Sequence, residues 1–439
     1  VSRVKSDLFH GDCLELLATL PAESIDACVT DPPYGIGFMG REWDTFKPGE
    51  SRASKGLHPN QRIGSTNPNL RGRRRAPAVS PSQIEYDYTV SGLRRFQEWT
   101  EAWGREVFRV LKPGGHAVVC GAPRAYHRMA CGLEDAGFEI RDCLAWLFGS
   151  GFPKSLNLGE GLGTALKPAH EPIVLARKPF KGTVKANVER HGTGALNIDA
   201  ARIPYDGPED AAAAAAEIRS RQTTRSTEGW GMRSQPELTA ESYMEGSAAS
   251  GRWPANVALD ELAAMVLDEQ SGQSVSNGGL EPIKTGITLG TFEEKEQRGF
   301  FNYGDIGGAS RFFYVAKPSR EERDYGCDGM PLVSPLAVTG RAEGSAGSKH
   351  GRAGMIGRSR GNHHPTVKPV ELMRWLVKLV TPLNSTVLDP FLGSGTTGMA
   401  CRYEQRDFIG IEKEADYLAI AKARIAAVAP LFADAEQPA

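Results

Sequence analysis

The chain has 439 residues, and its 52 basic and 53 acidic side chains give a formal net charge of −1. Hydrophobic residues make up 40% and charged residues 24%, which excludes a mostly disordered chain, a collagen-like chain and a coiled coil. At roughly 150 residues per domain, the length predicts two to three domains.

No apolar run approaches the ~20 residues that span a bilayer, and the first residues lack the apolar core of a signal peptide. The seven cysteines are dispersed, without a C-x-x-C pair, so we predict neither a disulfide framework nor a metal site. We therefore expect a soluble cytoplasmic protein without membrane contact.

The first compact stretch reads as a strand–helix–strand unit. A strand over Ile25–Thr30 runs into Asp31-Pro32-Pro33-Tyr34, here called the Asp31 turn, where two prolines end the strand. Apolar residues at three- and four-residue steps predict a helix over 93–111. Lys112-Pro113-Gly114-Gly115 is a helix stop, and 116–120 is an apolar strand.

Two segments are basic and resemble loops. Segment 41–75 carries nine Lys or Arg against three acidic residues, and segment 341–368 carries six against one. Both are rich in Gly, Ser, Asn and Pro and lack apolar periodicity. Such loops suit phosphate backbones, although solvated loops without a partner are an equal alternative on charge alone.

The region from about 180 to 360 has a different character. It contains an alanine run over 211–216, Gly/Ser clusters and isolated short apolar pieces. We interpret it as a separate irregular domain or a large insertion.

The second compact stretch alternates helices and strands. We predict a helix over 370–380, a strand over 385–389, a short helix after a loop at 391–398, a strand over 408–412 and a final helix over 417–428. Alternating strands and helices are typical of a parallel sheet.

The loop at 391–398, here called the glycine loop, has two competing interpretations. Gly393 to Gly398 satisfies G-x-G-x-x-G after a strand, and Glu412 lies about 20 residues on, as in dinucleotide-binding folds. Only 27 residues follow Glu412, too few for the second nucleotide half. A single adenosine ligand such as S-adenosylmethionine (AdoMet) fits better, and a glycine turn without a ligand remains open.

The Asp31 turn has the composition of a site for an amino group. Its prolines lack backbone donors, so the Asp31 carboxylate and the Pro32 carbonyl are left as acceptors for both hydrogens of an –NH2 group. Tyr34 offers a flat surface on which a base stacks, worth about 1–3 kcal/mol. An ordinary strand-ending turn is the alternative.

Together the two loops resemble those of the beta-class AdoMet-dependent DNA amino-methyltransferases, which modify N6 of adenine or N4 of cytosine. The family's catalytic tetrapeptide, [DSN]-P-P-[YFW], is present as the Asp31 turn, and its D-P-F-x-G-S-G-T-T loop is intact over 389–397. The segments 109–115 and 364–369 also match the family. The catalytic loop precedes the cofactor loop, as in the beta class.

The resemblance implies a doubly wound, Rossmann-like α/β sheet with permuted motif order. Its catalytic half would cover 1–180, including a basic loop at 40–90, and its AdoMet half 361–430. A target-recognition insertion would occupy 181–360, and 431–439 would be a tail.

The resemblance also implies roles for single residues. Asp31, Pro32, Pro33 and Tyr34 would hold the target base. Glu412 would bind the ribose, Asp12 would lie near the adenine, and Thr366 and Lys368 near the methionine part. The rest of the cofactor pocket would be formed by Asp389, Phe391, Gly393, Gly395, Thr396 and Thr397. The candidate DNA contacts are Arg71, Arg73, Arg74, Arg75, Arg358 and Arg360.

The implied activity is methylation of a flipped base in double-stranded DNA. Asp at the head of the tetrapeptide favours N6 of adenine, with N4 of cytosine as the alternative. An RNA or protein amino-methyltransferase and an inactive DNA-binding module are less favoured alternatives. A homodimer, a cognate restriction endonuclease and a bacterial or phage origin with nucleoid association are further expectations.

Overall fold

A computed structural model describes residues 4–34, 90–149, 151, 157–205, 210, 251–275, 306–316, 321–334 and 359–428. The strands of this part are β1 (Ser6–His10), β2 (Ile25–Thr30), β3 (Leu111–Cys120), β4 (Glu139–Leu147), β5 (Asn157–Gly159), β6 (Leu162–Gly163), β7 (His170–Arg177), β8 (Val257–Asp260), β9 (Ser274–Val275), β10 (Ile306–Gly307), β11 (Tyr314–Ala316), β12 (Thr386–Asp389) and β13 (Asp407–Glu412). The helices are α1 (Cys13–Thr19), α2 (Val90–Val110), α3 (Tyr126–Asp135), α4 (Val184–His191), α5 (Glu261–Ser271), α6 (Val370–Val380), α7 (Thr396–Tyr403) and α8 (Ala415–Ala427). No helix among these residues is long and apolar enough to cross a bilayer.

In the described part of the chain, nine strands form one sheet in the order β1-β13-β12-β2-β3-β7-β4-β8-β11. Every neighbouring pair is parallel except the two pairs that include β7. Strand β7 therefore runs against all the others. Its first residues lie at the edge of the sheet where the other strands end.

Helices cover both faces of the sheet. Side chains alternate along β2, so Ala27 and Val29 pack on the face that carries α6, α7 and α8, and Cys28 packs on the face that carries α1, α2 and α3. The result is a three-layer, doubly wound α/β structure. This confirms the predicted fold class.

The winding reverses between β12 and β2. From β2 the chain passes through α2 to β3 on one side, and from β12 it passes through α7 to β13 on the other. Right-handed crossovers in opposite directions place these two helices on opposite faces. In open α/β sheets, the crevice at the carboxyl ends of such a pair of strands is where ligands bind.

Most predicted elements have nearly the predicted bounds. Strand β2 and helix α6 match their predictions, and β12, β13 and α8 differ by one or two residues at an end. The largest difference is at 112–115, which we expected to be a linker after a helix. Helix α2 ends at Val110 and β3 begins at Leu111, which pairs with Ile25 of β2. Residues 112–115 then interrupt the pairing with β2, which resumes where His116 lies beside Ala27.

The segment 181–360 is predicted to be a separate irregular domain or a large insertion. Its strands β8 and β11 extend the main sheet beyond β4. Tyr314 of β11 also stacks on Trp375 of α6, with ring centroids 5.1 Å apart. Strands β8 and β11 of this segment therefore belong to the main sheet, while β9 and β10 pair in a small sheet of their own. Residues 206–209, 211–250, 276–305, 317–320 and 335–358 lie outside the described residues.

Candidate active site

The Asp31 turn lies at the switch point of the sheet. Strand β2 is buried along its whole length and ends at Thr30, so the turn emerges at the carboxyl edge. The Thr30 hydroxyl donates to Asp389 Oδ1 at 2.6 Å, and both residues are buried. This bond joins the end of β2 to the end of β12, and it brings the two predicted loops together.

Four polar side chains form a closed ring at this turn: Asp31, Tyr34, Glu171 and Lys368, here called the Lys368 cluster. The Lys368 ammonium lies 2.7 Å from Asp31 Oδ2 and 3.4 Å from Glu171 Oε2. The Tyr34 hydroxyl lies 2.6 Å from Asp31 Oδ1, 3.2 Å from Glu171 Oε1 and 3.0 Å from the ammonium.

The charges of the Lys368 cluster depend on one another. Burial alone would lower the pKa of Lys368, but the carboxylates of Asp31 and Glu171 raise it above its ordinary value. Burial, with the charges of Asp31 and Glu171, raises the pKa of Tyr34. Lysine is therefore charged and tyrosine neutral at physiological pH, and each donates to a carboxylate.

Glu171 is a residue of the site that the sequence motifs do not identify. The reason is the direction of β7: Glu171 is its second residue, so an antiparallel strand carries it to the carboxyl edge of its neighbours. Burial raises the pKa of Glu171, which the Lys368 ammonium opposes. An acidic residue at the head of an otherwise buried strand was the available signal.

The Asp389 carboxylate, at the end of β12, accepts hydrogen bonds from two side chains and one backbone amide. It accepts the Thr30 hydroxyl, the Thr397 side chain and the Phe391 amide, the last at 3.0 Å. Burial raises the pKa of Asp389 to about 6, against these hydrogen bonds, which favour the charged form.

Glu412, at the end of β13, is bound by two backbone amides. Its Oε2 accepts from Gly393 N at 2.7 Å and its Oε1 from Glu414 N at 2.8 Å. Burial raises the pKa of Glu412 to about 7, although these amides favour the charged form. Each oxygen keeps a second lone pair, so the carboxylate can accept from hydroxyl groups as well.

The glycine loop needs glycine at two positions, Gly393 and Gly395. Gly393 has φ of +54° and Gly395 of +81°, the left-handed region that other residues rarely adopt. A Cβ at Gly395 would lie 2.9 Å from Ala421 of α8, and one at Gly393 would lie 3.0 Å from the His364 ring. The loop can therefore pack closely against α8 and against the segment that precedes Lys368.

The other cofactor candidates surround this loop. The Phe391 ring packs on Trp99 and Trp103 of α2, with centroids 5.3 and 5.4 Å apart. The Thr396 hydroxyl accepts from Arg424 at 3.2 Å, and the Thr366 carbonyl contacts the His364 ring.

Asp12 lies at the amino end of α1, where its Oδ1 caps the helix and its Oδ2 pairs with Lys413 at 3.1 Å. It follows β1, whose neighbour is β13. Lys368, expected near the methionine part of a cofactor, is in contact with Asp31.

Of the candidate DNA contacts, only Arg360 belongs to the described residues. It is exposed, and its backbone pairs with Val333. The others lie outside the described residues: Arg71, Arg73, Arg74, Arg75 and Arg358.

Comparisons with known proteins agree with these motifs. The family model for N6 and N4 methyltransferases, described as DNA methylase, matches residues 25–423. The type II methyltransferase M.HindIII of Haemophilus influenzae is 29% identical over 208 residues, which cover 43% of this chain and 64% of that protein. The type II methyltransferase M2.LlaDCHI of Lactococcus lactis subsp. cremoris is 47% identical over 62 residues, 14% of this chain and 23% of that protein.

The chain thus matches less than two thirds of the length of either relative. Among solved structures, the PvuII DNA methyltransferase (cytosine-N4-specific) is 13% identical, with a TM-score of 0.42. That match covers 96% of this chain and 87% of the other.

Proposed function

The chain belongs to the N6/N4 DNA methylase family, and we propose that it transfers a methyl group from AdoMet to N6 of adenine in double-stranded DNA. The observation that carries the proposal is the bond between Thr30 and Asp389. It brings the acceptors of the Asp31 turn and the carboxylates beside the glycine loop to the same edge of the sheet. A methyl donor and an amino group bound there would be neighbours.

The carboxylates beside the glycine loop fit the adenosine part of AdoMet. Glu412 keeps a free lone pair on each oxygen and would accept from the two ribose hydroxyls. The glycine loop, Asp12 and Phe391 would form the walls of this pocket. When bound, AdoMet supplies an electrophilic methyl group on a sulfonium.

At the Asp31 turn, the protein would activate the amino nitrogen. The lone pair of that nitrogen is conjugated with the base ring, so it is a poor nucleophile. Hydrogen bonds to Asp31 and to the Pro32 carbonyl would localise the lone pair on nitrogen and aim it at the methyl group. Positioning and electrostatics would then supply most of the acceleration, without a covalent enzyme intermediate.

The base must leave the duplex to reach this turn, which costs a few kcal/mol. Stacking on the Tyr34 ring would offset part of that cost, since base–aromatic stacking is worth about 1–3 kcal/mol. The basic segments 41–75 and 341–368 would bind the phosphates. The homodimer and the cognate endonuclease remain predictions.

The choice of adenine rests on the family's tendency to carry Asp in adenine-specific tetrapeptides. Cytosine presents the same –NH2 group to the same acceptors, so N4 of cytosine is the second candidate. Mass spectrometry of nucleosides from methylated DNA decides between them: we expect N6-methyladenine, and N4-methylcytosine alone would contradict the adenine assignment.

The activity itself is tested with labelled AdoMet offered separately to DNA, RNA and protein. We expect label in DNA only. The Asp31→Ala variant should lose at least about 1000-fold in transfer rate while AdoMet affinity changes by less than about threefold. Normal turnover by this variant would remove Asp31 from the chemistry.

A further inference from the structure

The two carboxylate oxygens of Glu171 differ in their hydrogen bonds within the Lys368 cluster. Its Oε1 accepts from the Tyr34 hydroxyl at 3.2 Å. Its Oε2 is buried and, among the described residues, makes no hydrogen bond, although the Lys368 ammonium lies only 3.4 Å away. A buried carboxylate oxygen without a hydrogen bond costs free energy, so its position in a polar site requires an explanation.

Asp31 presents the opposite situation, because each of its oxygens already has a close partner. The Tyr34 hydroxyl lies at 2.6 Å from Oδ1 and the Lys368 ammonium at 2.7 Å from Oδ2. The proposed reaction requires Asp31 to accept an amino hydrogen as well. A carboxylate neutralised by an ammonium at this distance is a weaker acceptor than a free one.

We propose that Glu171 is a positioning residue that takes over the Lys368 ammonium when the target base enters, which makes Asp31 a stronger acceptor for the amino hydrogen. The inference rests on the proposed role of Asp31. The required movement is small: a shift of Nζ by about 0.6 Å towards Oε2 would shorten 3.4 Å to an ordinary charged hydrogen bond of about 2.8 Å.

The geometry favours this exchange over a passive role. Lys368 Nζ lies between two carboxylates, so its charge stays compensated on either side. The Tyr34 hydroxyl also contacts both carboxylates and can redirect its single proton from Asp31 to Glu171. The Lys368 ammonium and the Tyr34 hydroxyl each contact both carboxylates already, so the exchange needs no movement through an apolar region.

The test is a double-mutant cycle of Glu171→Gln and Lys368→Met, read as the single-turnover rate of methyl transfer at saturating DNA and AdoMet. We expect Glu171→Gln alone to lower the rate about 10- to 100-fold, with less than about a threefold change in the KM for DNA. In the Lys368→Met background the same change should cost less than about threefold, because no ammonium is left to transfer. Equal costs in both backgrounds, or an unchanged rate in the single variant, would overturn the proposal.

Three controls separate positioning from folding. Glu171→Asp keeps the charge, so it should lose less rate than Glu171→Gln. Expressed as the logarithm of the rate, its loss should be at most about two thirds of the loss in Glu171→Gln. Glu189→Gln, on an exposed helical position, makes the same chemical change outside the site and should leave the rate unchanged. AdoMet affinity and the melting temperature should stay close to wild type in Glu171→Gln, and a rate loss that merely follows unfolding would contradict the inference.

The outcome for Asp31→Ala distinguishes this inference from the proposed function. An active Asp31→Ala variant would remove the proposed chemistry and, with it, the exchange. An inactive Asp31→Ala variant beside a fully active Glu171→Gln variant would overturn the exchange alone.

Discussion

The glycine loop and the Asp31 turn meet at one switch point, but they hold their charged groups in different ways. Beside the glycine loop, backbone amides bind both carboxylates: Glu412 accepts from Gly393 and Glu414, and Asp389 accepts from Phe391. Asp389 also accepts from the side chains of Thr30 and Thr397. At the Asp31 turn, the charged groups are held by other side chains of the Lys368 cluster.

This difference separates a rigid region from one that can rearrange. Backbone amides are fixed by the sheet and by the loop conformation, so the first region is preformed for a ligand. Side-chain contacts can exchange partners at little cost, so the second region can respond when a base enters. Substitutions beside the glycine loop should therefore affect ligand affinity and stability, and substitutions in the Lys368 cluster should affect rate.

The largest effect on affinity should come from Asp389→Ala. The change leaves the Thr30 hydroxyl and the Phe391 amide without their buried acceptor, which is costly. We expect AdoMet affinity, measured by calorimetry, to fall about 100-fold. The melting temperature should fall by about 5 °C. The exposed Asp7→Ala is the matched control, and equal behaviour of the two variants would contradict a preformed region.

Tyr34→Ala, in contrast to Asp389→Ala, should lower the transfer rate and leave AdoMet affinity nearly unchanged. Loss of the stacking surface should lower the transfer rate about tenfold and reduce the flipping signal of 2-aminopurine in the target position. AdoMet affinity should hardly change. Tyr34→Phe keeps the ring and removes the hydroxyl, so it should retain the fluorescence signal. An unchanged signal in Tyr34→Ala would show that Tyr34 does not hold the base.

The pKa of Glu412, raised by burial to about 7, predicts a pH-dependent affinity. Ribose hydroxyls would favour the ionised carboxylate, so AdoMet binding should weaken below about pH 7, by up to about tenfold per pH unit. Glu412→Gln should bind weakly at every pH and should lack this slope. Affinity titrations from pH 5.5 to 8.5 measure it, and the same slope in the variant would assign it to another group.

The raised pKa of Glu412 also makes folding stability depend on pH, but stability should fall with rising pH whereas AdoMet affinity should increase. Since the folded pKa lies above the ordinary value of 4.5, the folded protein binds more protons, and the free energy of unfolding falls as pH rises from about 4.5 to about 7. Glu412→Gln should reduce this fall.

The smallest effect should come from Gly395→Ala, which tests backbone shape without removing a polar group. The new Cβ would meet Ala421 at 2.9 Å in a backbone with φ of +81°. We expect the free energy of unfolding to fall by about 2–3 kcal/mol, measured by urea denaturation. Gly182→Ala has a similar φ of +93° and open space, so it should lose only about 1 kcal/mol.

The sequence predicted those parts of the fold whose signals are local. Proline marked the end of β2, apolar spacing marked α6, and the glycine loop followed a strand as expected. The direction of β7 is not local, because it depends on which strands it pairs with. That direction is why the sequence did not place Glu171 in the site.

Dependence on contacts distant in sequence also explains why the sequence did not predict strands β8 and β11 or the contact between Lys368 and Asp31. The short strands β8 and β11 have no pattern of their own and become strands only by pairing with β4 and with each other. The motif containing Lys368 was identified, but its contact with Asp31 joins positions 337 residues apart. The roles of the individual site residues remain predictions.

The pairing of β2 has a consequence for how the molecule is made. One neighbour of β2 is β3, which follows within the first 120 residues, but the other is β12, which begins at Thr386. During synthesis, one edge of β2, which is fully buried in the folded protein, therefore stays unpaired until the ribosome has added most of the chain. Unpaired strand edges promote aggregation. Truncated products that stop before Thr386 should therefore be insoluble as well as inactive, and slow translation should increase the demand for chaperones.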